Sequence, residues 1–125
     1  MPTILVVDDE PAIRMFVSQV LEQNGFSVLT AHDGADAISI SQLHPGKIEL
    51  LITDVRMPRV DGPTLVRTLS EDGPGMPVLF MSGHCEPSEL DQFETYEFLA
   101  KPFSIEMLLR AVRTMLSDLS CQLVN

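Results

Sequence analysis

Four apolar runs of strand length in this chain each stop at residues able to do chemistry. Ile4–Val7 runs into the consecutive carboxylates Asp8, Asp9 and Glu10. Ile48–Ile52 is followed by Thr53 and Asp54, Val78–Met81 by Ser82, and Phe98–Ala100 by Lys101. Adjacent negative charges repel, and burying one without a partner costs several kcal/mol, so the acidic groups must either raise at least one pKa or recruit a cation. Hard oxygen donors with room for water suit Mg2+, which takes one or two protein carboxylates together with phosphate oxygens. A carboxylate is also a nucleophile towards phosphorus, giving an aspartyl phosphate. Asp54 is the candidate acceptor, because it stands alone after ELLIT rather than inside the acidic run. A metal bridging it to an incoming phosphoryl group would neutralise charge developing there. Lys101, a compact cation with rotatable donors, would hold one phosphoryl oxygen, and the Ser82 hydroxyl another.

For these groups to meet, the strands that carry them must end along one edge of one sheet. The runs Ile4–Val7, Phe26–Leu29, Ile48–Ile52, Val78–Met81 and Phe98–Ala100 supply the strands, and three of them are near-continuous, as expected where both faces are covered. Segments of helical period lie between them. Ile13, Phe16, Val17, Val20 and Leu21 form one stripe, which Gly25 ends. Asp33 caps a second helix through Ala35, Ala37, Ile38 and Leu43, and Asp61 a third through Leu65, Val66 and Leu69, with Pro63 in its first turn. Gly73–Pro77 breaks the chain before the fourth strand, Glu86–Phe93 offers a short fourth helix, and Ser104 caps a last helix carrying Ile105, Leu108, Ala111, Val112, Met115 and Leu119. Five strand–helix units in sequence imply right-handed crossovers and a doubly wound parallel α/β sheet with five helices. Such sheets bind ligands outside the carboxyl ends of their strands, where all the groups named above fall.

Composition narrows the partners. The 125 residues suit one domain, and 45% hydrophobic content supports a core without cross-links. A net charge of −10 argues against direct nucleic-acid binding, which needs clustered Lys and Arg. There is no long apolar span for a membrane and no secretory leader, which points to the cytoplasm. Cys85 and Cys121 lack metal-ligand spacing and read as free thiols, and His32, His44 and His84 read as surface or loop residues. Each chemical group also has a plainer role when taken singly. Asp9 would cap the first helix with Glu10 complementing its dipole, Asp54 and Ser82–Gly83 would sit in turns, and Lys101 would be a surface lysine. Their joint placement at four strand ends favours the shared site.

Together, Asp8–Asp9, Asp54 in DVRMPRVDG, Ser82 in MSG and Lys101 in KPF resemble the response-regulator receiver domain, the phosphoacceptor module of two-component signalling, over essentially all of residues 1–125. The resemblance implies a single domain with the flavodoxin-like strand order 2-1-3-4-5. It implies phosphorylation at Asp54 by a histidine kinase or a phosphotransfer histidine, with only self-phosphorylation and autodephosphorylation as activities. Mg2+ would be held by Asp9, Asp54, the Arg56 backbone carbonyl and, through water, Asp8. Lys101–Pro102 would be a cis peptide, and Ser82 and Phe98 would form the switch. Phe98 stands where the family more often has Tyr, so the switch would rest on packing without a hydroxyl. Arg56 and His84 would flank the path of a hydrolytic water. DQFETYEF lacks the Gly-Ala step common in the family, so the fourth helix is expected to be short or irregular.

The face made by the fourth helix, the fifth strand and the fifth helix would carry the output. Met107, Leu109 and Leu116 extend the apolar surface of the last helix, which reads either as a partner or homodimer contact or as a broader core. A Mg2+ phosphatase would want aspartates spaced by one residue and a lid, and a nucleotide switch would want a glycine-rich loop after the first strand. The sequence has neither. A pseudo-receiver that binds without accepting phosphate is disfavoured by the complete residue set. Met1 and the polar end SCQLVN suit a stand-alone regulator, whereas FLAKPF with serine at position 82 resembles receivers of hybrid histidine kinases.

Overall fold

Alternating burial of the strand residues builds two cores, one on each face of the sheet. The computed structural model describes residues 2–71, 76–83 and 96–124, with side chains through Ser117. Its strands are β1 (Thr3–Val7), β2 (Ser27–Ala31), β3 (Leu50–Asp54), β4 (Val78–Ser82) and β5 (Tyr96–Ala100). All pair in parallel in the order β2-β1-β3-β4-β5. The helices are α1 (Pro11–Gln23), α2 (Gly34–Leu43), α3 (Gly62–Ser70) and α4 (Ile105–Val124). The expected short helix over Glu86–Phe93 lies outside the described residues, so the last helix is α4 here. Among the described residues no helix is long and apolar enough to cross a membrane.

Ile4, Val6, Ile52, Leu79 and Met81 pack against Val17, Val20 and Leu21 of α1 and Leu108, Val112 and Met115 of α4. The alternate residues Leu5, Val7, Leu51, Val78 and Phe80 pack against Ala37 of α2 and Leu65 and Val66 of α3. Side chains of period two therefore serve both layers, which is why β1, β3 and β4 read as near-continuous apolar runs. Each large aliphatic side chain fully removed from water contributes roughly 1.5–3 kcal/mol.

Local signals set the element ends. Gly25 has φ +88, and the Gly25 and Phe26 N–H groups donate to the Glu22 and Leu21 carbonyls, closing α1 in the manner expected for a left-handed glycine stop. Asp33 and Asp61 accept from the Asp36 and Thr64 N–H groups at 2.7 and 2.9 Å, and Ser104 Oγ accepts from Met107 N–H at 3.1 Å. All three expected caps are present. Asp9 does not cap α1: Glu10 holds that position, with no side-chain cap bond.

Other expectations are corrected. The second and third strands begin and end later than the apolar runs, because main-chain ladders continue through Thr30, Thr53 and Asp54 whatever their polarity. β5 begins earlier, at Tyr96, since an edge strand needs to bury only part of itself. Leu43 and Ile105, expected on buried stripes, are 76% and 49% exposed at helix termini.

Candidate functional site

Parallel register brings the acids together. Val7 pairs with Thr53, so Asp8 follows β1 directly beside Asp54, one strand spacing away. Asp54 pairs with Met81 and Ser82 with Ala100, which carries Ser82 and Lys101 to the same edge. One carboxylate oxygen from each of Asp8, Asp9 and Asp54 lies within 4.8 Å of the others. Asp8 and Asp54 are buried, and Asp9 is exposed.

Lys101 is the internal counterion. Its Nζ donates to Asp54 Oδ2 at 2.9 Å and to Asp8 Oδ2 at 3.2 Å. Its own N–H donates to the Ser82 carbonyl at 2.9 Å, and the Lys101–Pro102 peptide is cis. Burial pulls the ammonium pKa down, but the bonds and charges of Asp54 and Asp8 outweigh it and leave it raised above 10.5. Burial pushes the Asp8 carboxyl above 3.8, and the Asp54 charge adds to this. The Glu10 N–H and Lys101 oppose the shift without cancelling it.

The remaining bonds aim the carboxylates. Asp8 Oδ1 accepts from the Glu10 N–H at 2.9 Å, and Asp54 Oδ1 accepts from the Arg56 N–H at 3.2 Å. Behind Asp54, the Gly62 N–H donates to the Val55 carbonyl at 2.9 Å. A Cβ at Gly62 would collide with the Asp54 carbonyl, so only glycine lets α3 start against this strand end. Arg56 is exposed, Ser82 is buried, and Phe98 on β5 is 39% exposed. On α4, Met107 is exposed, while Leu109 and Leu116 pack against the core, so the broad apolar face of that helix is divided between surface and core. His84, Cys85 and Cys121 lie outside the described residues or side chains.

The donor set is wholly hard oxygen. It combines two buried carboxylates in fixed orientation with one open to solvent, which suits an oxygen-preferring divalent cation retaining water. Two features escaped sequence reasoning. Sequence reasoning gave Lys101 a phosphoryl oxygen as its contact and did not foresee its pairing with both buried acids, across 93 and 47 residues of chain. Arg14 of α1 also reaches back, its Nη1 donating to the Asp8 carbonyl at 2.7 Å. An arginine in a helix beginning after an acidic run is too common a pattern to have signalled this.

Comparison with known proteins supplies the family. A family model described as the response regulator receiver domain matches residues 4–113. The chain is 37% identical over 117 residues to the sensor kinase CckA of Brucella abortus, covering 91% of this chain and 12% of that protein. It is 38% identical over 117 residues to the response regulator MprA of Mycobacterium tuberculosis, covering 90% of this chain and 50% of that protein. The chain thus spans half the length, or less, of these curated relatives. Among solved structures, the receiver domain of the hybrid histidine kinase CckA superposes with a TM-score of 0.80 at 38% identity, covering 91% of this chain and 98% of that one. The chemotaxis protein CheY4 of Vibrio cholerae superposes with a TM-score of 0.85 at 29% identity, covering 92% and 98%.

Proposed function

The chain belongs to the response regulator receiver domain family and is a phosphoacceptor switch of two-component signalling; on that premise we propose that Asp54 is the acceptor and that its neighbours divide the transfer among them. One observation carries the assignment. Asp54 is a buried carboxylate at the carboxyl end of the central strand, held 2.9 Å from Lys101 and within the 4.8 Å cluster formed with Asp8 and Asp9.

The Asp54 carboxylate attacks the phosphorus of a phosphohistidine on a histidine kinase or phosphotransfer protein. The new O–P bond forms as the N–P bond breaks, and the imidazole leaves with the electron pair. Asp9, Asp54 and the Arg56 carbonyl would hold Mg2+, with Asp8 reaching it through water, and the ion would supply positive charge to offset that of the transferring phosphoryl group. Lys101 already lies against the acceptor oxygen and turns its donors to the phosphoryl oxygens as Asp54 is phosphorylated. Ser82 supplies a hydroxyl from the next strand and, with Phe98, relays the change to the β5–α4 face. Residues 1–125 act as one domain, in the cytoplasm, without direct nucleic-acid or membrane contact, and the β5–α4 face receives the output partner or a second copy. Loss of the phosphoryl group by self-catalysed hydrolysis completes the cycle.

Intact-mass measurement after incubation with acetyl phosphate and Mg2+ tests the assignment. The parent gains one phosphoryl group and Asp54→Asn gains none. Labelling that persists in the variant would overturn the choice of acceptor.

A further inference from the structure

Arg14 stands beside the acidic edge without belonging to the phosphoryl chemistry. It is half-buried near the start of α1, and its Nη1 donates to the Asp8 carbonyl at 2.7 Å. That oxygen belongs to the planar peptide joining Asp8 to Asp9, so fixing it fixes the plane from which Asp9 departs. The sheet holds the other side of Asp8, whose N–H donates to the Ala31 carbonyl at 3.3 Å. Arg14 is itself anchored: its N–H donates to the Glu10 carbonyl, and its carbonyl accepts from Ser18 Oγ at 2.7 Å.

Asp9 depends on this grip more than its neighbours do. Lys101 and a main-chain N–H aim each of the Asp8 and Asp54 carboxylates. The Asp9 carboxylate, among the described residues, makes no hydrogen bond or ion pair, yet it converges on the other two. With no contact of its own, the Asp9 side chain is placed by the backbone bond from which it departs and by its few staggered rotamers.

We propose that Arg14 is a positioning residue for the cation site: by gripping the Asp8 carbonyl it aims the otherwise unsupported Asp9 carboxylate at Asp8 and Asp54. The role rests on Asp8, Asp9 and Asp54 being the Mg2+ ligands. Charge alone gives the opposite expectation, since removing a cation beside an acidic cluster strengthens Mg2+ binding. The sign of the change therefore separates the two effects.

The test is calorimetric titration with Mg2+ of the parent, Arg14→Met, Arg14→Lys, Asp9→Asn and the Arg14→Met/Asp9→Asn double variant, with thermal melts in EDTA establishing that each is folded at the titration temperature. Arg14→Met raises the dissociation constant about tenfold, the scale of lost supporting contacts around a metal site. Arg14→Lys, which retains a donor without the fork, recovers part of that loss and supplies the same comparison should the methionine variant not fold. The double variant binds no more weakly than Asp9→Asn, because the two residues act as one unit. The maximal phosphorylation rate at saturating Mg2+ stays at the parental value in Arg14→Met. Unchanged or tighter binding in Arg14→Met, or additive losses in the double variant, would overturn the role of Arg14 alone. Unchanged binding in Asp9→Asn would overturn the ligand set itself, and the role of Arg14 with it.

Discussion

The acidic edge and the β5–α4 face meet at Lys101 and differ in almost every other respect. At the edge, Asp8 and Asp54 are buried, each carboxylate is bonded on both oxygens, and a shared ammonium lies between them. On the face, Phe98, Ile105 and Met107 are exposed apolar side chains beside an edge strand that buries only Leu99. Hydrogen bonds and charge hold the first region in one geometry, while packing with little burial leaves the second free to change. A phosphoryl switch needs that division: a site preset for chemistry and a surface that a small rearrangement can remodel.

Removing the shared cation should break the comparison most severely. Lys101→Ala leaves two buried carboxylates without their counterion, and loss of one partner from such a pair costs about 3 kcal/mol or more. We expect a melting temperature in EDTA lower by roughly 10 °C, with the gap narrowing in Mg2+, since a bound cation restores part of the missing charge. The ammonium also predicts a pH limit. Because its folded pKa is raised above 10.5, its contribution is complete below that value and is lost as pH rises through the folded one. Equal melts of parent and variant in EDTA would show that Lys101 does not support the edge.

Backbone crowding at the same edge comes next. Gly62→Ala drives a methyl group against the Asp54 carbonyl and should cost about 1–3 kcal/mol while lowering the phosphorylation rate at fixed Mg2+, both readable by melts and acetyl phosphate labelling. A smaller effect, of opposite sign, is expected for Asp8→Asn. The raised Asp8 pKa means that ionised Asp8 is a net cost to the folded state. At neutral pH without metal, the variant should melt above the parent, by on the order of 1 kcal/mol, and should bind Mg2+ more weakly. As pH falls through the raised folded pKa towards 3.8, the parent protonates, sheds that cost, and the two melts converge. A variant melting below the parent in EDTA would make Asp8 a structural hydrogen-bonding residue instead. The smallest effect falls on the face. Phe98→Tyr, at a half-open position, should change stability by less than about 0.5 kcal/mol, whereas Phe98→Ala should uncouple phosphorylation from partner binding in a pull-down or titration assay.

Sequence pattern reached the edge further than the face. The runs at β1, β3 and β4 are covered on both sides, so burial writes itself into every residue, and the groups that follow them declare where the chain emerges into a site. β2 and β5 lie at the sheet edges, where only part of each strand is buried, so their bounds shifted by one or two residues, and β3 shifted by two because its ladder continues through Thr53 and Asp54. Ile105 and Leu43 kept helical spacing but fell at helix ends, beyond the reach of the core. Lys101 was recognised as a cation at a strand end, but its bond to Asp8 depends on two termini brought together from 93 residues apart, which no local pattern encodes. Arg14 contacts a carbonyl, a group every residue carries, so its target left no mark in the sequence.

Amide hydrogen exchange, followed by mass spectrometry before and after phosphorylation with acetyl phosphate and Mg2+, tests the division between edge and face most directly. Protection in Thr3–Val7 and Leu50–Asp54 should stay unchanged, while Tyr96–Ala100 and the first turns of α4 should change. Equal change in both regions, or none in β5 and α4 despite stoichiometric phosphorylation, would contradict a preset acidic edge driving a pliant output face.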